Sequence, residues 1–216
     1  MRETQPTFPK DPQWTDPGSS RVPFWAYTRN DLYQRELERF FYTNHWCYVG
    51  LEAEIPNPGD FKRTVVGERS VVLVRSMDGE INVVENVCAH RGMRFCRERQ
   101  GNAKDFFCPY HQWNYSLKGD LQGVPFRRGV KQDGQVNGGM PKDFKPEDHG
   151  LNKLKVAVRG GVVFASFDHG VESLETFNIL VNYWWGGDPE NKFSNGLCNT
   201  ETIEFEYISE EDAAEL

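Results

Sequence analysis

Two short segments, CAHRG at 88–92 and CPYHQW at 108–113, each put a thiol next to an imidazole. The spacings are Cys88-x-His90 and Cys108-x-x-His111. In an extended chain Cys88 and His90 point the same way, with Cα atoms roughly 6.5 Å apart. Cys108-Pro109-Tyr110-His111 can turn back on itself, with Pro109 fixing the tip. Two such arms can enclose one metal centre. Zinc accepts two Cys and two His, but its usual spacing pairs Cys with Cys and His with His. One of each per arm is what a [2Fe–2S] cluster needs when one iron takes both thiolates and the other both imidazoles. A zinc-stabilised interaction module stands as the alternative. Two ferric ions, two sulfides and two thiolates sum to a formally neutral oxidised centre, so an added electron is accepted more easily than by an all-Cys cluster. His90 and His111 are then the candidates for the electron's way out.

The remainder of the chain must fold so that these arms meet. WCYVGLE, RTVVGE, SVVLVRS and INVVENV are short β-branched runs separated by turn residues. Met77-Asp78-Gly79-Glu80 carries an Asp-Gly hairpin signal. FFCPYH, WNYSL, LQGV, KLKVAVR and VVFASF continue the pattern, with Lys118-Gly119-Asp120 and Gly160-Gly161 as further turns. About ten short strands predict a mainly β domain of antiparallel sheets over 46–170. Before it, residues 1–45 read as an extended arm and one helix, about 31–42. Thr28 and Asp31 have helix-start spacing, and Leu32, Tyr33, Leu37, Phe40 and Phe41 form an apolar face. Residues 126–150 read as a loop, mobile and solvated rather than a docking surface.

Charge is unevenly placed. Of the net −7, residues 171–216 carry eleven acidic side chains and one Lys, or −10, leaving +3 on residues 1–170. The near-neutral body gives no case for nucleic acid. No apolar run approaches the ~18–20 residues of a spanning helix, and the N-terminus lacks the apolar segment of a secretory signal. Five cysteines without small-scaffold spacing argue against a disulfide framework, so a reducing cytoplasm is expected. Arg91, beside a candidate ligand, is given a supporting role around the cluster, whereas Arg94, Arg97 and Arg99 are expected to pair with surface acids such as Glu98 and Asp105. Trp113 is expected to pack under the cluster. Cys96 reads as a small buried thiol.

CAHRG and CPYHQW resemble the two boxes of a Rieske iron–sulfur domain. That resemblance implies Cys88 and Cys108 on one iron and His90 and His111 on the other. Respiratory Rieske proteins carry an extra cysteine in each box; Met93 and Tyr110 stand there here. From about Ser20 to Phe177 the chain is similar to the large (α) subunits of aromatic-ring-hydroxylating oxygenases, nearest their salicylate-hydroxylase branch, with anthranilate and terephthalate dioxygenases as relatives. The family implies a multicomponent system in which ferredoxin and an NADH-dependent reductase feed the cluster. A non-heme iron then acts on an aromatic acid, and a small subunit or homotrimer partners are expected. A free-standing Rieske ferredoxin is a second alternative, disfavoured by the arm, the helix and the 126–150 loop.

The family holds its second iron on two histidines and a carboxylate, including an Asp-x-x-His-x₄-His segment. The five histidines are His45, His90, His111, His149 and His169, with no pair five apart. No catalytic ligand is therefore expected here, and 171–216 reads as an irregular acidic tail, a possible remnant of a deleted or truncated catalytic domain. Within it, 203–207 reads as a strand, Ser209 as the cap of a short acidic helix, and Trp184-Trp185 as a packing or protein contact.

Overall fold

Val71, Val72, Leu73 and Val74 are four consecutive residues with no exposed surface. A strand can bury both alternating sets only if its sheet is covered on both faces, and that condition organises the domain. The computed structural model describes residues 22–175. The expectations for the N-terminal arm up to residue 21, and for 176–216, lie outside the described residues. The chain divides into two units, Met1–Val171 and Glu172–Leu216.

The central sheet joins β2 (Asp60–Val66), β3 (Arg69–Arg75), β4 (Ile81–Glu85) and β5 (Gln100–Asn102) in the order β4-β3-β2-β5, all antiparallel. Val71 and Leu73 face one core, with Val49, Ile55, Val163 and Ala165. Val72 and Val74 face the other, with Phe106, Trp113, Tyr115 and both arm cysteines. Each fully buried aliphatic side chain contributes about 1.5–3 kcal/mol, so this strand fastens both layers. The first core is closed by β1 (Cys47–Leu51), β11 (Lys155–Arg159) and β12 (Val162–Ser166), ordered β1-β12-β11. The second is closed by the small sheet of β6 (Phe106–Phe107), β7 (Asn114–Tyr115) and β8 (Leu121–Gly123). The mainly β, antiparallel reading holds, and the hairpins at 78–79, 118–120 and 160–161 form as expected. Gly79, Gly119, Gly160 and Gly161 all adopt positive φ, which their turns require. No described helix is long and apolar enough to cross a membrane.

Two expectations change here. The single helix over 31–42 is instead a short turn, α1 (Trp25–Thr28), then α2 (Asn30–Glu36) passing into a π-helical turn at Leu37–Phe41. Thr28 is not its cap: its hydroxyl donates back to Phe24 O, while Asp31 pairs with Arg29. Of the proposed apolar face only Leu37 is buried; Phe40 is 52% exposed. The segment is fastened instead by Tyr42, whose hydroxyl accepts from Glu68 N–H at 3.0 Å, with Arg69 over its ring. The second change is in 126–150. It contains a hairpin, β9 (Val130–Gln132) with β10 (Gln135–Asn137), turning at Asp133-Gly134, both at positive φ. The Asp-Gly signal was there, but its strands are wholly exposed and lack the apolar alternation that marks a sheet. Beyond the hairpin, Met140 and Phe144 pack against the core that holds the arm cysteines.

Candidate metal centre

Both arms are the same turn. In the first, Cys88 N–H donates to Met93 O and Gly92 N–H to Cys88 O, each at 2.9 Å. In the second, Cys108 N–H donates to Trp113 O and Gln112 N–H to Cys108 O, each at 2.8 Å. The fifth residue of each arm, Gly92 and Gln112, takes positive φ. Cys88-x-His90 is therefore not extended, as its spacing had suggested, but turned like its counterpart. The reason is Asn86, fully buried at the end of β4. Its side chain donates to Cys96 O at 2.8 Å and accepts from Cys96 N–H at 2.9 Å. These two hydrogen bonds to one residue close the ten-residue stretch, with the cysteine–histidine segment as a loop inside it.

Turning both arms brings like with like. Cys88 and Cys108 are both 2% exposed and neither is in a disulfide. The rings of His90 and His111 lie 4.6 Å apart, inclined by 70°. Among the described residues, no three His, Cys, Asp or Glu side chains are placed to hold one ion together. The arrangement is a thiol pair and an imidazole pair. His111 Nδ1 is buried without a hydrogen-bond partner. A buried ring nitrogen so placed loses solvation with no return, unless something else coordinates it.

The two thiols sit in a largely apolar core. Tyr115, fully buried, places its hydroxyl 3.1 Å from Cys88 Sγ and accepts from Ala89 N–H. With its lone pair engaged by Ala89, the phenolic proton is free to point at sulfur. Burial, and then Cys88, push the Tyr115 pKa far up, so it stays a donor. Burial raises the Cys88 thiol, and burial lowers His90, helped by His111 and Arg91. Both shifts favour neutral forms until a cation enters. Trp113, 4% exposed, stacks on His90 at 4.8 Å and 9°. Arg91 is exposed next to His90. Arg94, Arg97 and Arg99 are exposed too, and none of the four forms an ion pair among the described residues. The expected pairing with Glu98 and Asp105 is absent, because those acids make no ion pair either. Cys96 is buried as expected. Asn86 and Tyr115 were missed from the sequence. For Tyr115 the usable signal was alternation, since Trp113, Tyr115 and Leu117 all point inward.

The model for the Rieske [2Fe-2S] domain matches residues 45–133. Those residues are a Rieske domain. Similarity to known proteins extends beyond it. The large oxygenase component of salicylate 5-hydroxylase from Ralstonia sp. is 84% identical over 173 residues, which is 80% of this chain and 41% of that protein. The large subunit of anthranilate 1,2-dioxygenase from Burkholderia cepacia is 49% identical over 73% of this chain and 36% of its own length. Among solved structures, naphthalene 1,2-dioxygenase from Rhodococcus sp. superposes with TM-score 0.60 at 34% identity, covering 68% of this chain and 31% of that one. This chain thus spans about two fifths or less of the relatives it matches. The Rieske domain's donor set, two buried thiols and two adjoining imidazoles with an orphaned Nδ1, fits the cluster that its family name specifies.

Proposed function

We propose that this chain is the electron-transfer portion of an aromatic-ring-hydroxylating oxygenase large subunit of the salicylate-hydroxylase-like kind. In this reading Cys88 and Cys108 hold one iron and His90 and His111 the other. The unpartnered Nδ1 of His111, buried beside a second imidazole, is the observation that carries it. When bound, the cluster supplies one-electron storage at a potential above that of all-Cys clusters. The protein does the rest. The Tyr115 hydroxyl offers a hydrogen bond to the Cys88 sulfur, which favours added negative charge there. Trp113 covers one face of His90 and keeps water from it. His111, with Tyr110 tilted over it at 3.8 Å, lies at the edge of the site.

Ferredoxin and an NADH-dependent reductase are the proposed donors in a cytoplasmic system. The acceptor is a non-heme iron acting on an aromatic acid, with a small subunit or further copies completing the assembly. This chain supplies no catalytic residue in that scheme. The test is iron, zinc and acid-labile sulfide per chain on anaerobically purified protein. Two irons with two sulfides are expected. Zinc without sulfide would overturn the reading, and a third iron would show that the chain holds a catalytic centre after all.

A further inference from the structure

His149 joins the ring system of the site without being a proposed ligand. Its ring lies flat on Phe144, at 4.6 Å and 8°, and meets Trp113 at 6.0 Å and 82°. Trp113 in turn stacks on His90 at 4.8 Å. Two ring steps therefore separate His149 from a proposed ligand of the cluster. The arrangement is held from both sides. Arg127 lies over Phe144 and donates to its carbonyl. Just after His149, the buried Leu151 donates its N–H to Gly119 O at 2.7 Å. His149 ends a 3-10 turn, Pro146–His149, between these two fixed points.

Its chemistry differs from that of the rings it touches. His149 is half-buried, and neither ring nitrogen has a hydrogen-bond partner among the described residues. A proton from water can therefore be taken up without breaking a bond in the protein. The charge then lies against the face of Phe144, where an aromatic ring stabilises a cation. The charged groups on the surrounding elements are Lys145, Glu147 and Asp148 on its own segment, Arg127 over Phe144, and Asp120 paired with Lys153 near the Gly119–Leu151 contact. His90 lies beyond Trp113. Of these side-chain types, only histidine ordinarily changes charge between pH 5 and 8.

We propose that His149 acts on the cluster through Trp113 as a proton-linked positioning residue, and that its protonated form favours the reduced centre. This rests on the electron-transfer reading above. In the step, the cluster gains one electron from its donor and His149 takes up a fraction of a proton from solvent; no bond in the protein breaks. A cation two ring steps away stabilises the added negative charge. The potential therefore rises as pH falls and His149 becomes charged. By linkage, reduction of the cluster tightens the hold of His149 on its proton.

Protein-film voltammetry of the full chain from pH 5 to 8 tests this. His149→Phe keeps a flat ring on Phe144 and cannot carry a proton; His149→Gln removes both ring and charge. His90 and His111 are common to all three proteins, so a difference between them reports on position 149. Between pH 8 and pH 5 the parent's reduction equilibrium should gain about threefold to tenfold over either variant, or about 30–60 mV for one electron. Iron and sulfide content and the reduced-state EPR spectrum of His149→Phe should match the parent. Electrochemical reduction of the parent in weakly buffered solution, followed with a pH dye, should take up a fraction of a proton per electron. A parent chain without cluster would sink the electron-transfer reading itself. A loaded parent whose potential tracks that of His149→Phe at every pH would overturn the role of His149. So would a parent that takes up no proton on reduction in this range, even if a variant failed to load its cluster.

Discussion

The Tyr115 hydroxyl sits 3.1 Å from Cys88 Sγ while accepting a hydrogen bond from Ala89 N–H. With one acceptor position used by the backbone of the arm, the hydroxyl can donate its proton to the sulfur. A donor aimed at a sulfur ligand stabilises the more negative state, which is the reduced one. Tyr115→Phe keeps the shape and removes the donor. If the bond is about 1 kcal/mol stronger in the reduced state, the potential should fall by on the order of 40 mV. Protein-film voltammetry of both proteins reads this directly, and equal potentials would show that the hydroxyl serves packing alone.

Asn86 should matter more to assembly than to potential. Asn86→Ala leaves the Cys96 N–H and C=O buried without partners, at a cost of about 1–3 kcal/mol for each group. The expected result is a lower Tm together with reduced iron per chain, because the loop carrying Cys88 and His90 is no longer closed. Asn86→Ala protein with full iron and parental Tm would mean the arm is held by other contacts.

His111→Ala tests the ligand set. Its Nδ1 has no other partner, so its loss should remove the cluster and the visible absorption while the two β cores stay folded. Brown protein with two irons would show the assignment to be wrong. Far-UV circular dichroism on the same sample would report whether the sheets survive.

Cys47 and Cys96 are outside the site, and burial raises both thiols above their ordinary value. A raised pKa favours the neutral thiol, so the reactive thiolate becomes abundant only above the usual range of about 8.5. Iodoacetamide labelling of both residues should be slow at pH 8 and climb steeply as pH rises past 9, read by peptide mass spectrometry. Fast labelling at pH 7 would contradict the burial.

Much of the architecture could be read from short-range pattern. The hairpins at 78–79, 118–120 and 160–161 follow from residues that must take positive φ, and the strands from β-branched runs. The failures share a cause. The run Leu32 to Phe41 has helical periodicity, yet periodicity says which residues share a face and not whether anything covers it. The pairing of Arg94, Arg97 and Arg99 was expected from neighbouring acids in the chain, but which acid comes within reach is set by how the loop is folded. The hairpin at 130–137 was overlooked because its strands are only three residues long and exposed on both faces.

The sequence by itself determined the chemistry of the donors, since Cys and His in two paired arms are a statement about ligand type, and it determined a β framework through its turn residues. Only the tertiary structure decided that the arms are equivalent turns and that Tyr115 and Asn86 complete the site. Those relations depend on contacts between residues distant in sequence: Asn86 to Cys96, Cys88 to Tyr115, Trp113 to Phe144. Their partners are chosen by the packing of three sheets around two cores, which no local spacing encodes.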